Sequence, residues 1–133
     1  MTETATSSIE IVRSGYEAFG RGDMAGVAEL FAPDAVWSHR NGGRFAGPER
    51  GFDTIAAFFG ESVELSAGAL RVMPTGLLGG GDDVAALVHM TGTRPDGRIL
   101  DDRQVHLFRL RDGKTVAVDQ YVGDPTAVEA FWA

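Results

Sequence analysis

Hydrophobic positions along the chain change their period midway. From Ile9 to Phe19 they recur at helical spacing, with Ile9, Val12, Tyr16 and Phe19 on one face and Glu10, Arg13 and Glu17 elsewhere around the wheel. Ser7 followed three residues later by Glu10 has capping-box spacing, so a first helix is expected from there to Gly20 and Gly22. Asp23 suits the cap of a second, shorter helix through Leu30 and Phe31, which Pro33 stops. Residues 35–39 read as a short strand with Trp37 and His39 on one face, and residues 40–47 as a glycine-rich loop that forms a rim or lid. Phe52, Ile55, Phe59 and Ser62 or Val63 then keep helical spacing despite Gly60, which predicts a third helix ending near Gly68, its phenylalanines a core stripe. Beyond it, alternation takes over. Two strand-like runs, 69–78 and 84–93, flank Gly79-Gly80-Gly81-Asp82-Asp83, and Pro95-Asp96-Gly97 turns the chain into a long ribbon over 101–122. The glycine run lacks a following Lys and Ser/Thr and leads into a strand, so it is a turn and not a phosphate cradle.

The ribbon folds back at Arg111-Asp112-Gly113-Lys114, a hairpin signal. On its first strand Asp102, Gln104, His106, Phe108 and Leu110 share one side, while Arg103, Val105, Leu107 and Arg109 share the other. The first side runs from polar and titratable to apolar, as a pocket wall does when its mouth is wet and its floor dry. In the strand before it, Ala86, Val88 and Met90 face one way, and Leu87 and His89 the other. After Val122, Gly123-Asp124-Pro125 breaks the sheet, and Val128, Phe131 and Trp132 form an apolar tail that packs or closes a cavity. The expected fold is α+β: a cone-shaped curved antiparallel sheet of about four long strands plus a short one, with three helices on its concave side.

Composition adds limits. With 133 residues the chain is expected to be one domain, 1–133. A hydrophobic share of 44% with 23% charged residues is that of a soluble globular protein, and a net charge of −7 argues against a nucleic-acid partner. The absence of cysteine excludes disulfides and thiolate metal sites. With neither a signal peptide nor a long apolar run, a cytoplasmic address and no membrane partner are expected. His39, His89 and His106 show no local ligand spacing, so neither a metal nor another cofactor is expected.

The element order, together with Tyr16-Glu17-Ala18-Phe19-Gly20-Arg21-Gly22-Asp23, Leu30-Phe31-Ala32-Pro33-Asp34-Ala35-Val36-Trp37 and Phe108-Arg109-Leu110-Arg111-Asp112-Gly113-Lys114, resembles the SnoaL-like branch of the nuclear transport factor 2-like superfamily over nearly the whole chain. That superfamily includes ketosteroid isomerases, polyketide cyclases, epoxide hydrolases and non-catalytic binding or assembly modules. The resemblance implies that Tyr16 falls at the isomerases' oxyanion tyrosine, His39 at their general-base aspartate and His106 at their second oxyanion acid. Gln104 and His106 look like the Gln-x-His pair of the cyclases, whose acid/base aspartate would be Asp119 here, or have its place taken by Gln120. A homodimer through the outer sheet face, including His89, Val105 and Leu107, is implied as well.

Register separates the two candidates. A simple two-residue loop at Asp112-Gly113 pairs Asp119 with His106 on the pocket face, whereas a bulge turns Gln120 and Val118 inward and Asp119 out. The simple loop is the expectation adopted. The leading functional expectation is a cofactor-free enzyme on a small lipophilic substrate, with Asp119 or His39 as general base, and His106, Gln104 and Tyr16 donating to developing negative charge. Trp37, Val88, Met90, Asp102, Phe108 and Gln120 are expected to shape its pocket. Epoxide opening with Asp102 and Asp119 around a water, and a non-catalytic binding or assembly role, are the alternatives. Replacing His106 by Ala is expected to abolish turnover while leaving folding nearly intact.

Overall fold

Helix α1 (Ser8–Gly20) begins where its orphan amides find partners: the Ser7 hydroxyl accepts from the Glu10 amide, and the Glu10 carboxylate accepts from the Ser7 amide in return. In the computed structural model, which describes residues 7–40 and 47–133, helix α2 (Met24–Glu29) follows at once, capped by Asp23. The rest of the chain is strand β1 (Phe31–His39), β2 (Gly47–Arg50), helix α3 (Phe52–Leu65), strands β3 (Arg71–Gly80), β4 (Asp83–Thr93), β5 (Ile99–Arg111) and β6 (Lys114–Tyr121), and helix α4 (Pro125–Trp132). The fold is α+β, as expected, built on a curved, unclosed six-stranded sheet in the order β2-β1-β6-β5-β4-β3.

Four expectations are corrected. The sheet is mixed, because β6 comes back to pair parallel with β1 after the chain has passed through β2, α3, β3, β4 and β5. Strand β1 also starts four residues early and contains Pro33, tolerated because the β1/β6 register is broken between Phe31 and Val36. Among the described residues the helices number four, since the apolar tail after Val122 is α4, with Asp124 as its cap and Pro125 in its first turn. The short strand β2, antiparallel to β1, follows the expected 40–47 loop, sharing Gly47 with it, where no strand was expected. Residues 41–46 of the expected rim, and residues 1–6, lie outside the described residues.

The alternation on β5 is realised along its length: Asp102, Gln104, His106, Phe108 and Leu110 are buried. Around them Ile55, Ala86, Val88 and Val118 form the main core under the helices, and Leu70, Met90, Leu100, Phe131 and Trp132 a second one under α4. Close approach at the β6–α4 corner requires Gly123, because a Cβ there would lie 2.4 Å from the Arg103 carbonyl oxygen. Among the described residues no helix is long and apolar enough to cross a membrane.

Candidate active site

The hairpin at Asp112-Gly113 is the predicted two-residue turn, with φ of 52° and 76°. A bulge lies just beyond it. Leu110 pairs with Thr115 but Arg109 with Ala117, so Val116 is an extra residue on β6 and every later side chain changes face. His106 therefore pairs with Gln120, which is buried inside, and Leu107 with Asp119, which points outward. The expectation of an inward Asp119 is overturned. Its carboxylate instead accepts from Arg40, at 2.7 Å from Nη2 and 3.0 Å from Nε.

Helices and sheet enclose a cavity of about 120 Å³, lined by Tyr16, Trp37, His39, Phe58, Phe59, Met90, His106, Phe108 and Gln120 among other mainly apolar side chains. A single water needs roughly 10–15 Å³ of such space, so there is room for a ring compound. Trp37, Met90, Phe108 and Gln120 thus line it as expected. Asp102, Gln104 and Val88 do not: they are buried behind its wall.

Two histidines reach the cavity in different company. His106 is 1% exposed and sits at the centre of a buried polar network. Its Nδ1 lies 2.7 Å from the Tyr16 hydroxyl and its Nε2 2.9 Å from Gln104 Oε1. Gln104 Oε1 also accepts from Gln120 Nε2 at 2.8 Å, and Gln120 Oε1 from the Trp37 indole N–H at 2.9 Å. On the far side Gln104 Nε2 donates to Asp102 Oδ2 at 3.1 Å, and the Asp102 carboxylate accepts from the amides of Gly123 and Asp124, each at 3.0 Å. Asp102 thereby ties the network to the start of α4. Burial, reinforced by the nearby His39, lowers the His106 imidazole to about 3. Burial likewise pushes the Tyr16 phenol well above its ordinary value.

His39, at the end of β1, meets a carboxylate: its Nε2 is 3.2 Å from Glu49 Oε2, which β2 presents across the β1/β2 pairing. The Phe58 ring stands edge-on to the imidazole, with centroids 4.6 Å apart. Burial lowers the His39 pKa, while Glu49 and the hydrogen-bonding reach of Gln120 pull it back up. His89, on the outer face, pairs with Asp101 at 2.7 Å. Among the described residues no group of three or more His, Asp or Glu is arranged to hold a metal ion. Sequence reasoning missed Glu49 and the lining role of Phe58 and Phe59. The α3 phenylalanines gave a signal only for burial, and Glu49 gave none.

The comparisons with known proteins agree with this architecture. The chain is 29% identical over 130 residues to an uncharacterized protein of Mycobacterium tuberculosis, covering 98% of this chain and 99% of that one. It is also similar to Bal32a from a soil-derived mobile gene cassette, at 30% identity and a TM-score of 0.91, over 95% of this chain and 96% of that one. A candidate SnoaL-like polyketide cyclase from Jannaschia sp. CCS1 shares the fold, with 21% identity, a TM-score of 0.79, and coverage of 97% of this chain and 96% of that one. The model of the SnoaL-like domain matches residues 12–118. A match over that much of the sequence, on the fold just described, places the chain in the SnoaL-like domain family, within the nuclear transport factor 2-like superfamily.

Proposed function

We propose that residues 1–133 act as one domain, a cofactor-free acid/base enzyme of the SnoaL-like cyclase or isomerase type. It moves a proton next to a carbonyl, or closes a ring there, on a small lipophilic ring compound. The observation that carries this reading is His39 on the wall of an aromatic-lined cavity, backed by the Glu49 carboxylate. A carboxylate accepts only, so neutral His39 directs its Nε2–H to Glu49, with Gln120 also within hydrogen-bonding reach of the ring. Burial keeps that imidazole unprotonated near neutral pH, as a general base must be. When His39 takes the carbon-bound proton, the C–H electron pair becomes a C=C bond, the C=O π pair moves onto oxygen as an enolate, and the proton held on His39 passes to that oxygen or back to carbon. Glu49 stabilises the imidazolium until it returns the proton.

Of the two bases expected from the sequence, Asp119 and His39, this assignment keeps His39. It also removes the feature behind epoxide opening, because Asp102 is behind the wall and Asp119 outside it. The test is proton exchange of 2-tetralone in deuterated buffer, followed by NMR. The protein should accelerate exchange of the protons next to the carbonyl, and His39→Gln should abolish the acceleration. Equal exchange in both proteins would remove His39 from the chemistry, and no acceleration by the wild type would favour a non-catalytic binding module. A cytoplasmic homodimer belongs to the same proposal. Met73, Leu78, Leu87 and Leu107 are exposed on β3, β4 and β5, an apolar outer face suited to a second copy. A monomer in light scattering at micromolar concentration would contradict that part.

A further inference from the structure

Protons in the buried network can be placed from its two ends, because each end is a group that only donates. The Trp37 indole N–H donates, so Gln120 must turn Oε1 toward it and its NH₂ toward Gln104. Gln104 must then present Oε1 to Gln120. At the other end the Gly123 and Asp124 amides fix the Asp102 carboxylate as their acceptor, and Gln104 Nε2 donates to the same carboxylate. Both ends orient Gln104 the same way. His106 faces Gln104 Oε1, so its Nε2 carries the hydrogen. Its neutral ring then has a bare Nδ1, and the Tyr16 hydroxyl donates to it.

The Tyr16 proton is therefore committed. Turning it toward a ligand would leave a fully buried imidazole nitrogen facing a lone pair. The other His106 tautomer would set Nε2 and Gln104 Oε1 as two acceptors 2.9 Å apart, and a flipped Gln104 would oppose its NH₂ to that of Gln120. Among the described residues Tyr16 Oη has no second hydrogen-bond partner, and Tyr16 lines the cavity. We infer that the Tyr16 hydroxyl accepts a hydrogen bond from a ligand and does not give one, so that this side of the cavity selects ring compounds bearing a hydroxyl, a phenol or the enol form of a ketone, which donate to Tyr16. This rests on the cavity being a small-molecule site. It reverses the role expected from the resemblance, in which Tyr16 donates to an oxyanion. Tyr16 becomes a specificity residue that favours the hydroxyl tautomer of a substrate over its keto form.

The test uses three probes of one shape: 2-naphthol, 2-methoxynaphthalene and 2-methylnaphthalene, titrated calorimetrically into the wild-type protein and Tyr16→Phe at pH 7. The wild type should bind 2-naphthol about tenfold tighter than either other compound, since only it can donate. Tyr16→Phe should erase that preference and leave the affinity for 2-methylnaphthalene unchanged. Equal binding of 2-naphthol and its methyl ether, or a preference that survives in a folded Tyr16→Phe, would overturn the inference. If none of the three binds, the inference falls together with the small-molecule reading of the cavity. A His39 that moves no proton on 2-tetralone, with the naphthol preference intact, overturns the proposed chemistry alone.

Discussion

His106 on β5 and His39 on β1 line one cavity from either side of β6, yet their surroundings give them opposite work. His106 has both ring nitrogens satisfied by neutral groups and stays neutral through complete burial. His39 has a carboxylate on Nε2, which stabilises a charge once the ring acquires it. A buried imidazole among neutral hydrogen-bonding groups organises its neighbours, whereas one backed by a carboxylate can cycle a proton. Position on the pocket face therefore does not decide which histidine is the base; the partner behind it does.

The largest expected effect comes from breaking the first environment. His106→Ala strips partners from Gln104 and Tyr16 and opens a void, and should cost about 3–5 kcal/mol in urea unfolding. That replaces the expectation of an intact fold, because His106 proves to be the hub of a buried network. His39→Gln sharpens the contrast from the other side. It should slow 2-tetralone exchange about 10²–10³-fold while shifting stability by less than about 1 kcal/mol.

Acid separates the two rings further. The unfolded chain binds a proton at His106 near its ordinary 6.5, and the folded chain only near 3. The unfolded state thus holds more protons between those values, and stability falls as pH drops through that window, by roughly 3 kcal/mol between pH 7 and pH 4 from this group. Unfolding curves across that range should show the slope in the wild type, and a variant lacking His106 should lose that part of it. The smallest effect is expected at Asp119. Its bridge to Arg40 is half exposed, so Asp119→Asn should change stability by no more than about 0.5 kcal/mol and leave 2-tetralone exchange unaltered.

Much of this arrangement was legible in the residues. The Ser7–Glu10 box, the Asp23 cap and the even-numbered face of β5 each rest on local chemistry that the chain carries openly. The turn at Asp112-Gly113 was legible as well, but the bulge at Val116 was not. Lys114-Thr115-Val116-Ala117-Val118 suits a strand in either register, and only the packing of Val118 and Gln120 against the core chooses. Helix α4 did carry its signals, Asp124 followed by Pro125, although they read as a mere break in the sheet. Glu49 was invisible because its role comes from the β1/β2 pairing, ten residues from His39 and across a glycine-rich segment.

The division of labour between the imidazoles is open to direct observation by ¹⁵N NMR of the histidine rings as pH is varied. His106 should remain the neutral Nε2–H form from pH 8 down to pH 5, while His39 gains its proton below the ordinary 6.5 of a free imidazole, its Nε2 hydrogen retained toward Glu49. A His106 ring that titrates near 6.5, or that carries its hydrogen on Nδ1, would contradict the account.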